Sequence, residues 1–457
     1  MARYSAERKA AVLRKLLPPM NNSVAEVARQ EGISDVTLYA LRKAAKQEGK
    51  PVPGDVKTAM LTWAHERGVK LFLIEPGKPN QNAYIESFNE RFRDECLNEH
   101  WFTSLQHAKA VIESCAHALK IVNLEENIVN SYAGMQVLIT GGLGFIGSSL
   151  ARALVAQGAS VTLVDSLIPT YGGNPYNIDD IRDRVTVNVC DVRDSFAMAY
   201  LLERKDYLFN LAGQTSHMDS MTDPQTDLDI NAAAQLSILE TCRKANPKIK
   251  IVFASTRQLY GKPDYLPVNE KHPIRPVDVN GINKLAGEWY HLLYNNVYGI
   301  RACALRLTNT YGPGMRVKDA RQTFLGIWLR LLIEGKPIKV FGDGLQLRDF
   351  NYVDDCVEAL LLTGASDMAN GKVYNLGSSE VISLKALAQI MVGLGLDGSY
   401  ELIPFPPERK AIDIGDYYSD FTLITQELGW TPKVGLHEGL QKTLEYYRTY
   451  HYQYWQE

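Results

Sequence analysis

Met135-Gln-Val-Leu-Ile-Thr-Gly-Gly-Leu-Gly-Phe-Ile-Gly147 is the stretch from which the rest of the chain is read. Val137-Leu-Ile is a short apolar run of the kind that a parallel sheet buries. Glycines follow at Gly141, Gly144 and Gly147, and Ser148 to Gln157 continue at helical spacing. Strand, Gly-x-x-Gly-x-x-Gly, helix lets a backbone turn tightly and hold a pyrophosphate against the helix N-terminus. The next apolar run, Ser160-Val-Thr-Leu-Val, ends at Asp165, about twenty residues on. A carboxylate there accepts both ribose hydroxyls of an adenosine, which favours NAD over NADP.

The alternation continues outward. Arg184-Val-Thr-Val-Asn-Val reads as a third strand, Tyr207-Leu-Phe-Asn-Leu-Ala-Gly as a fourth and Ile249-Lys-Ile-Val-Phe-Ala-Ser-Thr as a fifth. Strands alternating with helices imply an α/β fold, a Rossmann-type doubly wound parallel sheet. Ligands bind off the carboxyl ends of such strands, where Asp165, Gly213 and Thr256 fall. The expected plan is a nucleotide domain over 135–310 and a smaller C-terminal substrate lobe over 311–457, with some elements interleaved. A mostly helical extension precedes them.

The 457 residues are 46% hydrophobic and 22% charged, an ordinary globular balance. The net charge of −3 hides an asymmetry, because residues 1–50 carry ten Lys/Arg against five Asp/Glu. A basic head on an acidic body suggests a polyanion partner for the head alone. The six cysteines form no Cys-x-x-Cys pair, so no metal site is expected, and sparse cysteines fit a reducing, cytoplasmic setting. No apolar run reaches membrane-spanning length, so no membrane partner is expected.

In the head, residues 5–17 place apolar groups at helical spacing until Pro18-Pro19. Ser23 caps a short helix to about Gln30, Gly32 makes a turn, and Ser34 caps a second helix to about Gln47. That order fits a helix-turn-helix over 1–53, with Asp35, Thr37, Arg42 and Lys43 on the exposed side. The same spacing also suits a small helical bundle with a solvated basic face. Ser23-Val-Ala-Glu-Val-Ala and Gly32-Ile-Ser-Asp-Val-Thr-Leu-Tyr resemble the helix-turn-helix protein of bacterial insertion-sequence transposases. Gly77-Lys-Pro-Asn-Gln-Asn-Ala-Tyr-Ile-Glu-Ser-Phe-Asn resembles the end of the companion integrase-type domain, so 54–114 reads as its truncated remnant. That family holds two metal ions with three carboxylates. Only Glu86 stands at its motif, and the segment from Lys50 to Met60 is too short for the sheet that carries the other two. Residues 115–134 read as a linker.

The body resembles the extended short-chain dehydrogenase/reductase family, the NAD-dependent nucleotide-sugar epimerases and dehydratases. The resemblance rests on Thr140-Gly-Gly-Leu-Gly-Phe-Ile-Gly, Asp191-Val192, Leu211-Ala-Gly and Ser255-Thr-Arg-Gln-Leu-Tyr-Gly. It rests equally on Lys284-Leu-Ala-Gly-Glu, Arg306-Leu-Thr-Asn-Thr-Tyr-Gly-Pro and Arg348-Asp-Phe-Asn-Tyr-Val-Asp-Asp. It implies NAD held by Gly141, Gly144, Phe145, Ile146, Gly147, Asp165, Asp191, Val192, Leu211, Ala212, Gly213 and Lys284. Thr256 would bond the sugar hydroxyl being oxidised, with Gln258 beside it, and Asn309 and Arg348 would grip the nucleotide diphosphate. It also implies a nucleotide-sugar substrate, hydride passing to tightly held NAD and back, and a homodimer through the enzyme domain.

The chain departs from that family where its base belongs. The family's tyrosine, four residues before the lysine, is here Asn280, an amide that takes up no proton near neutral pH. After Thr256 stand Arg257-Gln258 where dehydratases that expel the carbon-6 hydroxyl carry Asp-Glu, which weakens a dehydratase reading. Catalytic candidates are therefore Thr256, Lys284 and Asn280, with Lys284, Tyr260 or His217 as replacement bases. The Asn280 position is expected to face an open cleft. Two other classes stay open: a transposase-derived DNA-binding fusion with a passenger enzyme domain, and a nucleotide-sugar binder without turnover.

Overall fold

The computed structural model describes residues 8, 9, 11, 12, 24–34, 37, 38, 41, 131–171, 173–320, 323–394 and 398–455. It divides into two units, Met1–Asp94 and Glu95–Glu457. In the first unit a helix spans Val24–Glu31 and Gly32 follows at φ +65°. Ser34 then opens the next turn, its carbonyl accepting the Leu38 N–H at 3.1 Å. Val12, Val27, Ile33 and Leu38 form a small apolar cluster. The turn is where the sequence places it. Ser23, Asp35, Arg42, Lys43 and Glu86 lie outside the described residues, as do 54–114 and most of the expected linker.

The second unit is built on a seven-stranded sheet. In chain order its strands are β1 (Gln136–Thr140), β2 (Ser160–Asp165), β3 (Val185–Val189), β4 (Tyr207–Asn210), β5 (Lys250–Thr256) and β6 (Arg301–Leu307). Three short strands follow, β7 (Asn309–Tyr311), β8 (Ile338–Phe341) and β9 (Leu347–Tyr352), before the seventh member, β10 (Val373–Asn375). The order across the sheet is β10-β6-β5-β4-β1-β2-β3, and every pairing is parallel. Val137, Ile139, Phe209, Val252 and Leu305 bury one face of it against Leu150 and Leu154 of the helix Phe145–Ala156 and Leu360 of Val353–Ala365. Leu138, Leu208, Ile251 and Ala302 bury the other against Leu202, Ile238 and Leu239. Two apolar faces explain the near-continuous Val/Ile/Leu runs that mark these strands in the sequence.

The five expected strands are present, and β6 and β10 extend the sheet past β5. β10 lies far along the chain yet pairs with β6, so the C-terminal half crosses back into the nucleotide sheet. The remaining strands build the lobe: β7 and β9 join β11 (Val381–Ser383), and β8 pairs with β12 (Tyr400–Ile403). The end of the expected linker belongs to the core. Tyr132 is fully buried, its ring 4.8 Å from that of Tyr207, and its hydroxyl donates to the Leu361 carbonyl at 2.8 Å.

Candidate active site

Off the carboxyl ends of β1, β2, β4 and β5 lies a cavity of about 680 Å³. At one end is the glycine loop. Gly141 sits at φ +68°, a conformation that favours glycine, and a Cβ on Gly147 would run into the Gly141 carbonyl. No side chain caps the helix that starts at Phe145, so its first N–H groups remain for a ligand on the cavity wall. Asp165 closes β2. Its carboxylate accepts the N–H of Leu143 at 3.1 Å and of Leu167 at 3.0 Å, one on each oxygen. A third N–H, that of Gly173, also reaches the carboxylate, which still has acceptor capacity left for a ribose hydroxyl. Burial raises the Asp165 pKa, against the pull of these N–H groups.

Asp191 and Val192 line the same wall, and Arg193 fixes the Asp191 carboxylate with bonds of 3.0 and 2.7 Å that lower its pKa. Leu211, Ala212 and Gly213 continue the wall; the first two N–H groups are tied to the Thr140 hydroxyl. Gly213 is small because a Cβ there would stand 2.7 Å from the Lys284 ammonium. Lys284 is buried, donates to the Ala254 carbonyl at 3.1 Å, and is pushed down to about 8 by burial. Asp165 at the end of β2 and Thr256 at the end of β5 are separated by β1 and β4. Three strand spacings make that about 14 Å, room for an extended dinucleotide beside a second ligand. The groups present therefore fit NAD: glycine backbone N–H groups to donate to the pyrophosphate, Asp165 to accept from the adenosine ribose and Lys284 at the reacting end.

The reacting end differs from the expectation. Thr256 lines the cavity, and its hydroxyl caps the turn Arg257–Tyr260 by accepting the Gln258 N–H at 3.2 Å. Gln258 and Asn309 line it as well. Arg348 does not reach the wall. Its guanidinium is held by the carbonyls of Leu347 and Gly415, with Asp413 at 3.8 Å, and burial lowers it to about 10. Arg257 and Arg409 are the arginines of the wall. Arg257 donates to the Asn309 side-chain oxygen at 3.0 Å and stacks 5.0 Å over the Tyr417 ring. Its Nη1 is buried without a hydrogen-bond partner.

Asn280 lines the cavity, but little of its surface opens onto it. It is 2% exposed, and its amide donates to the Gln214 carbonyl at 2.7 Å and to Asp227 at 3.0 Å. Asn283 donates to the other oxygen of Asp227 at 2.8 Å. Tyr260 stands behind the wall: its hydroxyl donates to Asn375 at 2.7 Å, accepts from Arg306 at 2.6 Å, and burial raises it to about 12. His217 does line the cavity, as the first residue of the helix His217–Thr222. Its Nδ1 lies 3.0 Å from the carboxylate of Asp278, off the ideal line but within reach of a hydrogen bond that the Nδ1–H would donate. Asp278 was not singled out by its sequence context. The signal for it is its place before Val279–Tyr298, the helix that it caps at its N-terminus by accepting the Gly281 N–H at 2.7 Å.

Comparison with known proteins covers both parts of the chain. Residues 137–377 match the model of the NAD dependent epimerase/dehydratase family. Residues 1–66 match a transposase model and 67–118 an integrase core domain. A UDP-glucose 4-epimerase of Mycolicibacterium smegmatis is 31% identical over 69% of this chain and 99% of its own. The UDP-glucose 4-epimerase of Thermotoga maritima, solved with UDP-glucose, superposes with a TM-score of 0.63 at 30% identity, over 69% of this chain and 99% of its own. That of Thermus thermophilus, solved with NAD, gives 0.62 at 29% identity, over the same shares.

Proposed function

Because the chain belongs to the NAD dependent epimerase/dehydratase family, and is an enzyme of that type, we propose that it epimerises a nucleotide-diphosphate sugar by reversible oxidation of one ring hydroxyl. The observation that carries this reading is the two-ended cavity: Asp165 and the glycine loop at one end, Thr256, Lys284 and Arg257 at the other. NAD, when bound, takes up the hydride and gives it back. Thr256 holds the reacting hydroxyl. Lys284, charged below about 8, binds the nicotinamide ribose from its buried seat. The unpartnered Nη1 of Arg257 takes a diphosphate oxygen, the role that the family resemblance implies for Arg348, and the planar fork suits a phosphate. Gln258 in place of a dehydratase acid favours epimerisation over loss of water.

The test is a mass spectrum of nucleotides released from the purified protein, followed by incubation with UDP-glucose, UDP-glucuronate and dTDP-glucose. NAD in the first and a 4-epimer in the second support the reading; a 4-keto-6-deoxy product overturns it in favour of dehydration. The enzyme unit is proposed to dimerise through the helix Val279–Tyr298. That helix exposes Ile282, Trp289, Leu293 and Val297 on one side, and Trp289→Lys is expected to yield monomers in sedimentation. The transposase match over 1–66 supports weak, salt-sensitive DNA retention by the head; binding indifferent to salt would contradict it.

A further inference from the structure

We propose that His217, positioned by Asp278, is the base that replaces the absent tyrosine, a reading that rests on the nucleotide-sugar oxidation above. His217 is the one histidine of the cavity wall among the described residues, and its side chain is 38% exposed there while that of Asp278 is fully buried beneath it. The two meet because each opens a helix. Ser216 caps His217–Thr222 by accepting the Asp219 N–H at 3.1 Å, and Asp278 caps the long helix through one oxygen. Its other oxygen receives Gln258 at 2.8 Å and faces His217 Nδ1 at 3.0 Å. With one oxygen committed to the cap and the other to Gln258, the carboxylate cannot turn away. Burial pushes the Asp278 pKa up, but His217, the Gly281 N–H and Gln258 outweigh it and leave the pKa below its usual value. The pair thus holds a fixed negative charge behind an imidazole.

A carboxylate on Nδ1 selects the tautomer with its proton on that nitrogen, which leaves Nε2 as the acceptor. With NAD bound to accept the hydride, the sugar O–H proton would pass to Nε2 as the C–H electron pair leaves, and the carbon would become a carbonyl. Asp278 then faces an imidazolium. Returning hydride to the opposite face and the proton to oxygen restores the alcohol, so no other oxidant is consumed. The other candidates for this work are engaged, and Tyr171 and Cys190, also on the wall, follow β2 and β3 on the cofactor side. Asn280 gives its amide to Gln214 and Asp227, Tyr260 lies behind the wall, and Lys284 is charged at neutral pH. The acids of the wall are Asp165 and Asp191 at the cofactor end, Asp319, which Arg316 holds at 2.6 Å, and Asp219 on the same short helix as His217.

The experiment is single-turnover reduction of bound NAD by UDP-glucose, UDP-glucuronate and dTDP-glucose. It compares the unmodified protein with His217→Gln, His217→Gly, Asp278→Asn and Asp219→Asn. His217→Gln is expected to slow the step by about 10²–10⁴-fold. KM and retained NAD should stay unchanged. Free imidazole should restore part of the rate to His217→Gly, a rescue that a structural role does not give. Asp278→Asn, which keeps an oxygen for the helix cap, should lower kcat rather than raise KM. A His217→Gln rate close to the unmodified one, loss of the step in Asp219→Asn instead, or no imidazole rescue would overturn the assignment while leaving the epimerase reading intact. Absence of NAD reduction by any of the sugars in the unmodified protein would overturn both.

Discussion

The two ends of the cavity were built by different parts of the chain. At the cofactor end the wall is mostly backbone: Gly141, Gly144 and Gly147, the first N–H groups of the following helix, and one acid, Asp165, at a fixed spacing. At the reacting end, side chains on the wall and just behind it take directions that depend on partners far along the chain. Asn280 is turned by Gln214 and Asp227, Arg348 by Gly415 and Asp413, and His217 by Asp278. Backbone geometry is written in glycine positions and changes little. Side-chain direction is decided by packing, so one substitution re-aims a neighbouring group without altering the motif around it.

The largest expected effect breaks the cofactor end. Gly147→Ala should abolish NAD retention, since the added Cβ meets the Gly141 carbonyl and the loop has no room to yield; nucleotide content after purification measures it. Lys284→Met joins the two ends. It should stop turnover yet raise the melting temperature of the NAD-free protein at pH 7 by a few degrees, because a charged lysine buried in the fold costs stability. The sign follows from its lowered pKa. Below about 8 both states carry the proton, so the burial cost is fully present. Between there and the lysine's usual 10.5 the unfolded chain holds the extra proton and stability rises with pH. The advantage of Lys284→Met should therefore shrink over that window, which melting curves at several pH values would follow.

Smaller effects sharpen the contrast. Asp165→Ala should weaken NAD by roughly 1–3 kcal/mol through lost ribose bonds, read by calorimetry, and should narrow the preference over NADP. Asn280→Ala should cost about 1–2 kcal/mol of stability, leaving the buried Asp227 carboxylate short of a donor, and should change hydride transfer less than either His217 variant. Denaturant melts and single-turnover rates separate the two effects.

Much of this was legible in the sequence. The strand-loop-helix at Val137–Gln157 and the acid at Asp165 revealed the fold and the wall on which these residues lie, because period, glycine and spacing act locally. What could not be read needed distant partners. Nothing near Tyr132 marks it as a core residue; its ring is buried only because Tyr207, Phe209 and Leu361 surround it. β10 could not be placed beside β6 from a three-residue run. Asn280 announced that the usual base was missing. That its amide serves Asp227, and that an acid before the same helix faces His217, appears only when the two helix starts are brought together.

The most direct measurement is the near-ultraviolet absorbance of reduced nicotinamide after the purified protein is mixed with UDP-glucose, UDP-glucuronate or dTDP-glucose. The expected result is a rise with at least one of them, from NAD that entered with the protein, followed by recovery of the C4 epimer. A protein that carries NAD and binds these sugars but never reduces it would be a binding module, and would contradict the account.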